Sequence, residues 1–267
     1  SELITLVNQT LEKKQRLDRL REFLRDSLGL WGTDQGVTAA WRQWREREGL
    51  LSQGEKLGVG SHSLDSLECT QLFSDLLEAK NRELFNHSSR VTFYATILAN
   101  HLGLSSAEQK ALAAGSLLHD IGKIGLEDRL LGSTDRLDDR DWEGLKRHPE
   151  IGARMLQPFQ APAEVGQIIL YHHESYDGSG FPHGLQGKGI PYLARIVSMV
   201  QAFDHLVAGQ PVHRALSLEE AGEQLRRQAG IRYDPALAEL FSRLISENKI
   251  PLPALAMASR SAALPES

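Results

Sequence analysis

Apolar residues recur at spacings of three and four along almost the whole chain, which is the period of one helix face, and few segments alternate with period two. The expected fold class is therefore all-α. Leu17, Leu20, Leu24 and Leu28 form a stripe in a highly charged segment, predicting an exposed amphipathic helix; glycines at 29, 32 and 36 break it, and Trp41 and Trp44 lie on a second charged helix. Residues 49–63 are rich in Gly and Ser and read as a linker. From residue 64 to about 101 the spacing predicts one or two long helices. Ser105 and Glu108 form an S-x-x-E capping box that opens a helix running to His119, and Ser217 with Glu220 forms another. Pro149 places His148 at a helix N-cap, and Pro191 opens the helix of PYLARIVSMVQAFDHLV. The tail PLPALAMASRSAALPES is expected to fray. The expected organisation is a helical N-terminal regulatory or dimerisation region at 1–63, a main helical domain at 64–250 and a flexible tail at 251–267.

Composition narrows the function classes. With 267 residues, 41% hydrophobic and 24% charged, the chain has enough apolar material for a sizeable core. A net charge of -5 argues against a polymeric nucleic-acid partner, which would favour a basic surface. Cys69 is the one cysteine, so neither an internal disulfide nor a thiolate zinc cluster can form. No apolar run approaches the roughly 20 residues of a membrane span, and residues 1–25 are too charged for a signal peptide. A cytoplasmic chain is expected. It begins at Ser1, which leaves room for an upstream sensor segment.

Ten histidines change the picture further. HDIGK sets His119 beside Asp120 at a helix end, with Lys123 following. ELFNHSSR places Glu83 and His87 four residues apart on one helix face, where two side chains can share an ion. His148 precedes a helix, and His172-His173 run into the turn of YHHESYDGSGFPHG. Imidazoles with few carboxylates suit Fe, Mn, Zn or Ni better than Ca or Mg. Each piece alone is also what a surface or capping pair looks like. Their order is what matters.

That order resembles the HD-GYP family of HD-domain metal-dependent phosphohydrolases. The matching text is ELFNHSSRV, SLLHDIGKIGLEDRLL, KRHPEIGARML, HHESYDGSGFPHGLQGKGIP and ARIVSMVQAFD, covering roughly residues 64–233. The resemblance implies an all-α, HD-domain-like bundle and two or three divalent ions, iron or manganese. It implies hydrolysis of a cyclic dinucleotide, typically cyclic di-GMP to linear pGpG and on to GMP, by a metal-bridged hydroxide. Carried across by position, Glu83, His87, His119, Asp120, His148, His172 and His173 match the family's metal ligands, with Asp120 bridging. Lys123 matches a phosphate-contacting lysine and, with Asp120, forms the expected catalytic pair; Lys188 and Arg195 are further basic candidates for substrate, Arg195 being equally compatible with a structural role. Arg90, one turn past His87, either holds a carboxylate behind the site or faces solvent.

The sequence departs from the family at four places. Gln201 stands where the family closes its metal site with an Asp, so one negative charge is lost and at least one ion should bind more weakly. Gln210 and His213, in QPVH, replace two basic residues; each lost charge-assisted hydrogen bond to phosphate is worth about 1.5–3 kcal/mol. Phe181 replaces the Tyr of Gly-Tyr-Pro. His205 replaces a small residue one turn after Gln201, as a candidate substitute ligand. Two further readings stand beside the enzyme: a degenerate domain acting as a cyclic-dinucleotide sensor or protein-interaction module through its N-terminal helices, as a homodimer or with a signalling partner, and a phosphohydrolase for another nucleotide.

Overall fold

The computed structural model describes residues 66–126, 130–131, 138–157, 161–209 and 214–252. The expected N-terminal region at 1–63, Gln210, His213 and nearly all of the tail lie outside the described residues. Within them the chain is helical, without a strand, and its one β-type pairing is an isolated bridge between Ala229 and Tyr233. No described helix is long and apolar enough to cross a membrane.

Helices α1 (Ser66–Lys80) and α2 (Arg82–Leu102) divide the stretch expected to hold one or two helices. The break is at Asn81, whose extended backbone lets its side chain accept from the Glu83 and Leu84 amides. Gly103 ends α2 in the left-handed conformation, φ 65°, donating back to Ala99 and Asn100. The Ser105–Glu108 box then opens α3 (Ser106–Leu118), with His119 as its C-cap. A 3-10 turn (Ile121–Gly125) follows, then α4 (Asp139–Leu145), α5 (His148–Leu156) and α6 (Ala163–Tyr171). His148 is the first residue of α5 rather than its N-cap; Arg147 takes that place and Pro149 fits the first turn, where no amide partner is needed. After a short 3-10 turn (Gly187–Gly189) come α7 (Tyr192–Ala208), α8 (Leu218–Arg227), opened by the Ser217–Glu220 box, and α9 (Pro235–Ser246).

Helix α7 runs through the middle, touching α2, α3, α6, α8 and α9. Its apolar residues Ile196, Val197, Met199, Val200 and Phe203 are fully buried. Phe203 meets Tyr94 of α2 and Phe241 of α9 edge-on, at centroid distances of 5.0 and 4.9 Å. Such contacts add roughly 0.5–1.5 kcal/mol each beyond area burial. The same helix also buries two polar residues, Gln201 and Asp204. Buried polar groups need partners, and these two find theirs among the histidines.

Candidate metal centre

Four helix ends or faces deliver the histidines to one place. His87 comes from the middle of α2, His119 and Asp120 from the junction of α3 and the 3-10 turn, His148 from the start of α5, and His172-His173 from the end of α6. Close backbone approach makes this possible. A Cβ on Gly122 would lie 1.9 Å from the His148 carbonyl oxygen, so only glycine lets the HDIGK turn lie against α5. A Cβ on Gly180 would lie 2.2 Å from the Ser175 amide nitrogen, so the glycine-rich loop can fold back over His173 and Glu174. Glu174, itself buried, fixes that loop by accepting from the His183 and Leu185 amides at 2.8 and 3.0 Å.

The imidazoles share one orientation rule. His119, His148 and His172 each turn Nδ1 to the carbonyl three residues earlier: Ser116 at 2.7 Å, Leu145 at 2.7 Å and Ile169 at 2.8 Å. His87 turns Nδ1 to the Asp204 carboxylate at 2.7 Å. The facing oxygens only accept, so the proton belongs on Nδ1 and each Nε2 presents a lone pair. Those lone pairs converge. His148 Nε2 lies 3.2 Å from His172 Nε2 and 3.2 Å from Asp120 Oδ1, and His119 Nε2 lies 3.5 Å from Asp120 Oδ2. His87 Nε2, His119 Nε2 and Asp120 Oδ1 are buried without a hydrogen-bond partner. Acceptors facing acceptors cost about 1–3 kcal/mol for each buried unsatisfied group. A cation among them removes that cost, so the donor set fits the metal the family implies.

Electrostatics agrees. Burial pushes His119 down to about 4, outweighing the attraction of Asp120. Burial, then the neighbouring imidazoles, hold His172 and His173 well below the ordinary histidine range. Burial alone would raise Asp120, but Lys123, 2.7 Å away, and His119 keep it well below the ordinary carboxylate range. His119, His172 and His173 are thereby neutral imidazoles beside an ionised carboxylate, the protonation that ligation requires.

The donors fall into two groups, each compact enough to hold one ion: Asp120, His148, His172 and His173; and His87, His119 and Asp120. Asp120 belongs to both. Lys123 is brought to the edge of this arrangement by its bond to Asp120. Phe181 stacks on His173 at 4.7 Å and 17°, which keeps the packing expected of an aromatic there.

Several expected site residues lie outside both donor groups. Glu83 is in neither group; its side chain is 69% exposed and lies 3.5 Å from Arg90. Arg195 is held by Asp234 and donates to the Ile190 carbonyl at 3.1 Å, so its guanidinium is committed to tying α7 to the start of α9. Lys188 is exposed on its 3-10 turn. Gln201 is buried, and its amide donates to the His172 carbonyl at 2.9 Å. His205 is in neither group; it lies parallel to His87, 4.4 Å between centroids, and buttresses that ring.

Two residues carry more of the arrangement than their place in the sequence suggests. Glu174 organises the loop. Asp204, fully buried, holds His87 and accepts from Arg90 at 2.8 and 3.0 Å, which settles Arg90 as a buried partner behind the site. Burial would raise Asp204, but these hydrogen bonds lower it. Its signal was its position three residues after Gln201, on the same face of α7.

The family model described as HD domain matches residues 71–237. A cyclic di-GMP phosphodiesterase of Thermotoga maritima is 34% identical over 182 residues, covering 67% of this chain and 50% of its own length. A 3'3'-cGAMP-specific phosphodiesterase of Vibrio cholerae is 33% identical over 178 residues, covering 66% of this chain and 34% of its own. The chain thus spans half or less of these relatives. Among solved structures, a cyclic GMP-AMP-specific phosphodiesterase of Vibrio cholerae matches with TM-score 0.54 at 22% identity, over 78% of this chain and 55% of that one, and shows the shared fold. With the family model spanning more than half of its length and the HD-GYP motifs falling within that span, the chain belongs to the HD-domain family, in its HD-GYP branch.

Proposed function

We propose that the chain is a metal-dependent phosphodiesterase that hydrolyses a cyclic dinucleotide, cyclic di-GMP first. The observation that carries this reading is Asp120, a buried carboxylate shared by two imidazole groups, with His87 Nε2, His119 Nε2 and its own Oδ1 buried without a hydrogen-bond partner. One ion would be held by Asp120, His148, His172 and His173, a second by His87, His119 and Asp120, with the Gln201 carbonyl as a weak additional donor. The exposed position of Glu83 favours two ions over three. Nitrogen donors with a single carboxylate suit a transition ion better than calcium or magnesium, and among these the family resemblance favours iron or manganese. Bound there, the ions would supply a nucleophile at neutral pH and offset charge on the phosphodiester oxygens.

The chain's own residues do the rest. The i−3 carbonyl bonds and Asp204 hold the imidazoles in the tautomer that ligates, so little reorganisation is needed. Lys123, a partly exposed cation beside Asp120, is placed to meet a substrate phosphate. Phe181 braces His173 from the loop side. A second reading, a cyclic-dinucleotide sensor, draws support from Gln201, a neutral amide committed to the His172 carbonyl where a carboxylate would strengthen the site. Hydrolysis by protein of measured manganese or iron content separates the two. The enzyme reading expects linear dinucleotide from cyclic di-GMP. Binding of cyclic di-GMP or 3'3'-cGAMP without turnover of either, with metal loaded, would leave the sensor.

A further inference from the structure

The two donor groups are unequal in a way that bears on how the site fills. The Asp120, His148, His172, His173 group has four donors; the His87, His119, Asp120 group has three and no carboxylate of its own, since Asp120 is shared. The other nearby negative charges are engaged elsewhere. Asp204 is neutralised by two hydrogen bonds from Arg90, Glu83 is exposed beside the same guanidinium, and Glu174, next to His173, has both oxygens taken up by the His183 and Leu185 amides. Lys123 sits 2.7 Å from Asp120 and offsets the one carboxylate both groups share. Gln201 shares its face of α7 with Asp204 and His205, which contact His87, and it brings an amide and no charge. Two divalent ions would therefore bring four positive charges to one carboxylate that is already paired, in a buried site.

We propose that this centre takes its second divalent ion together with an anion. One ion fills the four-donor group, and the His87 group fills when a phosphate-type anion supplies the missing negative charge. The proposal rests on the metal-centre reading above. Coupling of this kind is reciprocal, so the second ion tightens anion binding by the same factor. The chemistry required is that of a phosphoryl oxyanion, from a phosphodiester substrate or from free phosphate. Removing one unit charge a few ångströms from an ion corresponds to at least about a hundredfold in affinity in a medium of intermediate dielectric.

Equilibrium dialysis of the full chain against manganese, with bound metal counted by elemental analysis, tests this. Three arms are compared: manganese alone, manganese with inorganic phosphate, and manganese with a hydrolysis-resistant phosphorothioate analogue of cyclic di-GMP. The expected result is one ion per chain with manganese alone and two with an anion, the analogue arm showing whether a phosphodiester acts as phosphate does. Gln201→Glu and Gln201→Asp, each checked for native folding by circular dichroism, should take two ions without any anion, and neutral Gln201→Asn should stay at one. Two ions of equal affinity without anion, or a stoichiometry that neither anion changes, overturns the proposal. Absence of bound metal in every arm overturns the metal-centre reading with it.

Discussion

The histidines at helix ends and the histidine in mid-helix are fixed by different means. His119, His148 and His172 are aimed by carbonyls three residues earlier in their own segments. Their geometry is local and comes with the helix end. His87 has no free carbonyl within its helix and is aimed by Asp204, 117 residues away. Its orientation exists only once α2 and α7 have packed. A site of this kind is robust on one side and contingent on the other, and the contingent side is also the one with fewer donors.

The sharpest way to break that contrast is Asp204→Ala. It frees the His87 ring and leaves the buried Arg90 guanidinium with only the exposed Glu83 carboxylate, 3.5 Å away, a largely uncompensated charge that costs about 3–5 kcal/mol. Urea denaturation should show a loss of that size, and anion-supported binding of the second ion should vanish while the four-donor group keeps one. A variant of full stability would mean that Arg90 finds another partner.

Gly122→Ala attacks the local side. The added methyl group collides with the His148 carbonyl, so the HDIGK turn must withdraw from α5 and Asp120 must leave His148. Metal affinity of the four-donor group should drop by about 10–100-fold, as for loss of supporting contacts generally. Unchanged affinity by competition with a chelator would show that the two segments need not be in contact.

Glu83→Ala should do little. Its end of the pair with Arg90 is exposed and Asp204 still holds the guanidinium, so the pair contributes about 1 kcal/mol or less, and a side chain outside both donor groups should leave metal stoichiometry unchanged. Loss of an ion in this variant would return Glu83 to the ligand set. Phe181→Tyr should be milder still, within about twofold in turnover, because the ring stack on His173 survives.

The same division decides what could be read from the sequence. Capping boxes at Ser105–Glu108 and Ser217–Glu220 and the proline before α7 are local signals, and the helices begin where they say. The spaced histidines and Asp120 are brought together as their motif order suggested. What was not legible depends on partners far along the chain. The sequence leaves Arg195 open between a substrate contact and a structural role because Asp234, which holds it, is 39 residues later. Glu83 lies four residues before His87, which permits a shared ion, but it sits in the first turn of α2 with its side chain largely exposed and its carboxylate 3.5 Å from Arg90. The i,i+4 spacing could not say whether His205 would ligate or stack, because that depends on how α7 packs against α2.

The most direct test of the account is a crystal structure of the chain soaked with manganese and inorganic phosphate, with data collected at the manganese absorption edge. The account predicts two anomalous peaks on either side of the Asp120 carboxylate, one among His148, His172 and His173, the other beside His87 and His119. A site without anomalous signal, or a single peak that does not touch Asp120, would contradict it.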